Sequence, residues 1–145
     1  MKISTKGRYG LRILLDLALH AQEVPRLMKD IARSQQISEK YISRLILPLN
    51  EAGFITSFRG AKGGLKLAKS PKEITLLEIV EAMEGRIAIV ECVMDKSFCP
   101  KSHDCSACKI WTSLNRKIRK HMDEITLKDL LKSEKNKTKD AVEKQ

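Results

Sequence analysis

Residues 38–68, SEKYISRLILPLNEAGFITSFRGAKGGLKLA, decide the fold. Ser38 opens the stretch as a helix N-cap, because its hydroxyl can accept a backbone N–H that the first helical turn leaves free. From Glu39 onward, apolar Ile42, Leu45, Ile46 and Leu49 recur at helical spacing on one side. Lys40, Tyr41, Ser43 and Arg44 fall elsewhere around the turn. Gly53 is placed to end the helix, and Pro48 should bend it or loosen its last turn. Two short apolar runs follow, Phe54 to Phe58 and Leu65 to Ala68, and both read as strands. Between them Arg59-Gly60-Ala61-Lys62-Gly63-Gly64 makes a hairpin tip of glycines and two cations.

Upstream, residues 7–21 read as a helix. Leu11, Leu14, Leu15, Ala18 and Leu19 recur on one face, with Ala21 beyond them, and Val24-Pro25 ends it. Leu27 to Gln35 reads as a short second helix with Ile31 and Ala32 inward. Three helices and then a basic hairpin is the order of a winged helix–turn–helix. The predicted fold class is therefore mainly α with a small β-hairpin wing. Downstream, Thr75 caps another helix and Glu78 completes a capping box. Ile79, Val80 and Met83 supply its apolar face, and Gly85 ends it. Ile110, Leu114, Ile118, Met122 and Ile125 mark a long amphipathic helix, with Thr126 to Leu131 as a last short one. Residues 134–145 are rich in Lys, Glu and Asp without periodicity and read as a disordered tail. The expected organisation is a DNA-binding region over 1–70, a loop and long helix over 71–133, and that tail.

The whole chain has 145 residues, enough for one core with an extension. Its composition, 42% hydrophobic and 32% charged, is that of a globular protein, and with 4% aromatics the core must be Leu, Ile, Val and Ala. No apolar run approaches the ~18 residues a membrane helix needs. The basic, polar stretch Met1 to Gly10 has no signal-peptide core behind it, so a cytoplasmic location is expected. The net charge of +10 is uneven: residues 1–70 carry thirteen basic and five acidic side chains, a net of +8. A one-sided basic field favours a polyanion, most simply nucleic acid.

A B-form major groove admits one α-helix, whose exposed polar side chains read base edges. Ser38, Lys40, Tyr41, Ser43 and Arg44 stand at the start of the helix that would enter it, with Arg44 suited to a guanine edge or a phosphate. Arg59 and Gly60 at the hairpin tip could approach an adjacent minor groove. Lys62 and Lys66 would hold phosphates, and near the N-terminus Lys2, Ser4, Lys6 and Tyr9 could fix register. Solvated cations on an ordinary helical surface are the bland alternative.

All four cysteines lie in one loop, Cys92, Cys99, Cys105 and Cys108. Clustered thiols in a reducing compartment point to metal ligation or reactivity. Thiolates suit zinc or an iron–sulfur cluster. Structural zinc more often shows two close CxxC pairs, and here only Cys105 and Cys108 make one. His103 is a possible substitute ligand. Lys96, Lys101 and Lys109 could lower thiol pKa values. A redox disulfide switch stays open. No nucleophile–base set supports an enzyme, and residues 60–64 lack the phosphate-loop pattern.

With Ser4-Thr5-Lys6-Gly7-Arg8-Tyr9, Ile37-Ser38-Glu39-Lys40-Tyr41, Leu49-Asn50-Glu51-Ala52-Gly53-Phe54, the hairpin tip and the cysteine loop on the page, residues 1–133 resemble the IscR/NsrR/RirA-like family of winged-helix iron–sulfur transcription regulators. The resemblance implies a homodimer built on the long helix from about Lys109, a partly palindromic double-stranded DNA site and cluster-dependent regulation. It implies that Cys92, Cys99 and Cys105 match three cysteine ligands. The family's fourth ligand varies: a histidine stands at the position of Cys108 in IscR, and other relatives take a ligand from the partner's first helix near position 8 or 12. Arg8 and Arg12 cannot serve, which leaves Cys108 ahead of His103. A 2Fe–2S cluster is expected ahead of a 4Fe–4S one, with zinc as the alternative. The first cysteine interval is one residue longer than is usual in IscR. Ser43 stands where IscR carries a glutamate that shapes its choice of site, so operator preference does not carry over. The expected mechanism places the loop between the wing-bearing half and the dimer helix, where its reordering changes DNA affinity.

Overall fold

Helix α1 (Thr5–His20) is apolar on most of its circumference and becomes the axis of the fold. The computed structural model describes the backbone of residues 1–20 and 23–143, with side chains in those ranges up to residue 137. After α1 come α2 (Met28–Gln35), α3 (Glu39–Glu51), β1 (Ile55–Phe58), β2 (Gly64–Leu67), α4 (Leu76–Glu84), the short α5 (Glu91–Met94), α6 (Ser106–Glu124) and α7 (Leu127–Glu143). The expected class, mainly helical with a two-stranded hairpin, is what the chain adopts.

Ile13, Leu14 and Leu17 of α1 are completely enclosed, whereas Leu11, Leu15 and Leu19 are only partly covered. The buried face thus centres one position away from the leucine stripe expected for this helix. The reason is tertiary: α2, α3, α4, α7 and β2 all pack on α1, so burial wraps around it. Ala21, expected to extend the stripe, lies outside the described residues.

The α2–α3 turn runs through Gln36 in the left-handed region (φ 54°), and the Ser38 hydroxyl accepts from Tyr41 N at 3.2 Å. Ile42, Leu45, Ile46 and Leu49 are buried as their spacing requires. Pro48 lies inside α3 and has no N–H to return to the carbonyl four residues back. Helical bonding resumes beyond it, with Ala52 N donating to Pro48 O at 3.0 Å. The helix then closes with paired bonds, Phe54 N to Leu49 O at 3.0 Å and Gly53 N to Asn50 O at 2.9 Å. Phe54 is spent on this ending, so β1 starts at Ile55 rather than Phe54. The hairpin pairs Ile55 with Leu67 and Phe58 with Gly64. Arg26 adds one rung on its other side, bonded to Leu65 in both directions at 2.9 and 2.8 Å. Gly64 is required there: a Cβ would sit 2.6 Å from Arg26 O, at φ +143°.

Helix α4 carries the expected capping box, Glu78 N to Thr75 Oγ1 at 3.2 Å and Thr75 N to Glu78 Oε2 at 2.9 Å. It lies close against α1 because Gly7 and Gly10 present no side chain to it; a Cβ on Gly10 would come within 2.8 Å of Met83 Cγ. Helix α6 leans on α4, and α7 returns to α1. The junction is fixed by Leu76 N to Ile125 O at 2.8 Å and Leu127 N to Ile74 O at 2.9 Å. Ile74, Ile79, Met83, Leu127 and Leu131 join the same core as α1–α3, so packing is continuous across residue 70.

The tail expected to be disordered over 134–145 is helical through Glu143, as the end of α7; Lys144 and Gln145 lie outside the described residues. That stretch has no Gly or Pro and is rich in lysine and glutamate, with Lys137 Nζ 2.8 Å from Glu134 Oε1. It grows from a turn already nucleated by buried Leu127 and Leu131. Among the described residues no helix is long and apolar enough to cross a membrane.

Candidate nucleic-acid interface and cysteine loop

The start of α3 stands out from the body. Lys40, Ser43 and Arg44 are exposed, and the Ser43 hydroxyl turns back to Lys40 O at 2.8 Å. Tyr41 is half-buried. Its ring meets that of Tyr9 edge-on, centroids 5.9 Å apart, and the Arg12 guanidinium covers Tyr9 at 5.1 Å. Arg12 Nε also donates to Gln35 Oε1 at 3.0 Å. The two tyrosines therefore brace α1 against α3, leaving the cations of α3 to face solvent.

The wing tip presents Arg59, Gly60 and Lys62, all exposed. Lys66, expected beside them, instead donates to Glu23 O at 3.0 Å, at the root of the wing. Among the described residues none of Lys40, Arg44, Arg59 and Lys62 is held in an ion pair. Their charge is free for an outside anion.

Lys2 and Lys6 are exposed at the start of α1. Ser4 is occupied: its hydroxyl donates to Glu84 Oε1 at 2.6 Å and accepts from Lys6 N at 3.1 Å, and Ser4 N and Gly7 N reach the same carboxylate oxygen at 3.0 and 2.9 Å. Burial opposes ionisation of Glu84, but the Ser4 hydroxyl and the two N–H groups hold its pKa below the ordinary value. Glu84 was not legible from sequence; an acid before a helix-ending glycine reads as solvated.

Asp16 was also missed, although a lone acid inside the run Leu14-Leu15-Asp16-Leu17-Ala18 is a visible signal. It is 1% exposed. Arg26 Nε donates to it at 2.9 Å, Gln35 Nε2 at 3.0 Å, and the Ser34 hydroxyl also donates. Burial pushes its pKa up, yet Ser34, Gln35 and Arg26 outweigh it and hold the carboxyl below the ordinary value. Since Arg26 is the residue paired with Leu65, Asp16 ties α1 and α2 to the root of the wing.

The cysteine loop packs on the beginning of α6. Cys105 is the N-cap of that helix, its sulfur accepting from Cys108 N at 3.4 Å. Cys108 is buried one turn on, with its sulfur 3.7 Å from Cys92 O. Burial raises the Cys92 pKa, and the neighbouring Cys108 and Cys99 thiols add to the rise. Cys92, Cys99 and Cys105 are half-buried, and all four thiols are free. Asp95 caps the turn before Cys99, accepting from Ser97 N at 2.8 Å. Buried Ser102 donates to Lys96 O, and exposed His103 lies beside Cys108 in a shallow hollow. Among the described residues no three His, Cys, Asp or Glu side chains stand ready to hold a metal ion together. The donor chemistry fits a soft metal or cluster, four thiols with two at a helix N-terminus that favours thiolate. The loop would have to close around it.

The loop does not end in isolation. Helix α5 packs on α6, α6 on α4, and α4 on both α1 and α3. An unbroken line of packed helices joins the cysteines to the exposed cations of α3.

Comparison with known proteins agrees with this anatomy. The family model described as Rrf2, iron-dependent transcriptional regulator, matches residues 3–133. The Rrf2 protein of Nitratidesulfovibrio vulgaris is 41% identical over 132 residues, spanning 91% of this chain and 88% of that protein. The solved structure of CymR, the global cysteine regulator of B. subtilis, is similar at 38% identity with a TM-score of 0.75, covering 92% of this chain and 98% of that one. IscR of T. potens is similar at 35% identity and a TM-score of 0.72, covering 92% and 88%. Fold and extent of match thus coincide with a family of regulators rather than of enzymes: this chain belongs to the Rrf2 family of DNA-binding transcription regulators.

Proposed function

We propose that this regulator is a cytoplasmic homodimer whose operator binding is controlled by an iron–sulfur cluster held by Cys92, Cys99, Cys105 and Cys108. The observation that carries the reading is that Cys105 caps α6 by accepting from Cys108 N while Cys108 Sγ lies 3.7 Å from the Cys92 carbonyl, which brings three of the four cysteine residues to the N-terminus of that helix. When bound, a cluster supplies redox- and nitric-oxide-sensitive iron, of the 2Fe–2S type in the reading favoured by the resemblance. The protein's part is to transmit the order of the loop. Cys105 caps α6, so a change in its position changes how that helix begins, and α6 bears on α4 and through it on α1 and α3. Lys40, Ser43 and Arg44 face the major groove, Arg59, Gly60 and Lys62 the neighbouring backbone or minor groove, and Lys2 and Lys6 the phosphates. Ser4, Tyr9, Ser38 and Tyr41 support them by capping and packing.

The homodimer draws on α6. Ile110 is 65% exposed, Leu114 42% and Trp111 41%, an apolar stripe that a second copy would cover.

A second reading, a cluster-free thiol switch or zinc-stabilised regulator, is supported by the adjacency of Cys92 and Cys108 and by the likeness to a cysteine regulator. One experiment separates them. Protein purified without oxygen is assayed for iron, sulfide and visible absorption, and its operator affinity is compared with that of the metal-free form. Matching iron and sulfide with differing affinities are expected. Equal affinities refute the control mechanism. Zinc alone, or no metal even after anaerobic reconstitution, moves the assignment to the second reading.

A further inference from the structure

An open cavity of about 480 Å³, broadly exposed to solvent, lies between α4, α5 and α6, on the side of α6 away from its apolar stripe. Thr112 and Arg116 line it, about 160° around the helix from Ile110 and Leu114. A second copy seated on the stripe would leave it open.

Its chemistry is that of an anion site. Asn115, 8% exposed, forms the floor, and its Oδ1 accepts from Ile89 N at 3.1 Å. Every side-chain nitrogen and oxygen sealed from solvent among the described residues has a hydrogen-bond partner. The Asn115 amide nitrogen has none, so it opens into the cavity as a spare donor. Arg86 and Arg116 line the walls, and among the described residues neither is held in an ion pair, although the Arg86 charge is near enough to act on Glu81. Arg119 is already engaged by Glu81, and Lys120 stands 3.8 Å from Glu124. The one carboxylate in the lining, Asp123, accepts from Thr75 Oγ1 at 3.2 Å. Leu77 and Val93 add a small apolar wall. Two guanidinium forks and an amide suit the paired oxygens of a carboxylate or phosphate, which can be gripped by paired hydrogen bonds.

We propose that this cavity is an effector site for a small organic anion, gripped through its carboxylate or phosphate oxygens by Arg86, Arg116 and the Asn115 amide. Val93 belongs to α5, next to Cys92, so an occupant spans the cysteine loop and α6 and holds one to the other.

The test is calorimetric titration of the full chain with pyrophosphate and with malonate, at constant ionic strength. Saturable one-site binding of at least one probe is expected, and the tighter of the two identifies the headgroup. Arg116→Ala should weaken it at least about ten-fold. Asn115→Asp, which keeps the acceptor for Ile89 N but reverses the donor, should do the same. Arg44→Ala, on the DNA-facing helix, should leave it within about two-fold. No saturable binding of either probe overturns the proposal. So does binding that survives Arg116→Ala, or binding that falls as far with Arg44→Ala. Circular dichroism checks that Asn115→Asp folds; if it does not, exposed Arg116 carries the test alone.

Discussion

Replacing Asp16 with alanine should cost this small protein a large part of its stability. The carboxylate is 1% exposed and takes hydrogen bonds from Arg26, Ser34 and Gln35. Its removal strands the Arg26 guanidinium, whose side chain keeps 21% of its surface open to water. Breaking a buried pair from one side costs about 3–5 kcal/mol, because the surviving charge loses its partner. Partial rehydration of Arg26 puts the expected loss near the lower end, about 3 kcal/mol, or roughly two orders of magnitude in the folded-to-unfolded ratio. Urea unfolding at matched protein concentration measures it as a lower midpoint at unchanged slope. The acid limb gives an independent check with a definite sign. The folded carboxyl titrates below its unfolded value of about 3.9, so its stabilising share is complete above that pH and drains away as pH falls through the folded value. Asp16→Asn cannot titrate, so the parent's margin over it should be full near neutrality and shrink below about pH 4. An Asp16→Ala change within about 1 kcal/mol, or a margin independent of pH, would refute the reasoning.

Three further outcomes follow from the geometry. Arg44→Ala and Arg59→Ala should each weaken operator binding and lower the slope of log affinity against log salt by about one, read by fluorescence anisotropy across a salt series. Gly64→Ala should lower the melting temperature and weaken DNA binding. It adds about 1–3 kcal/mol of strain at φ +143°, and its Cβ meets the Arg26 carbonyl at 2.6 Å. Leu114→Glu should leave the fold intact, as the site is 42% exposed, while shifting sedimentation toward the monomer and reducing operator affinity.

The winged-helix half was readable because its signals are local. Ser38, the four inward residues of α3 and the glycine tip each act within a few residues, and each appears where its spacing put it. The capping box at Thr75 and Glu78 is equally local. What escaped depends on distant partners. The apolar face of α1 was drawn along its leucines, but packing on several sides moved it to Ile13, Leu14 and Leu17. Glu84 and Asn115 take their meaning from Ser4, Gly7 and Ile89, residues far off in sequence. Ile110 and Leu114 were legible as apolar and not as unpartnered, since a single chain does not say which stripe its own core will use. The helical extension of α7 was missed because composition alone does not reveal a nucleus supplied by a neighbouring turn.

The pinned junction between α6 and α7 makes α6 a lever. Its C-terminal end is fastened to the core by two backbone bonds on either side of Thr126, while its first residue follows Cys105 in the loop. With nineteen residues, the arm is about 28 Å long. A pivot of about 10° at the fulcrum sweeps the cysteine end through about 5 Å. The loop can therefore rearrange by a chemically meaningful distance while the core around Ile74 and Leu127 registers only a few degrees. Run in reverse, the same arm steadies the loop whenever the core and α3 are locked in place.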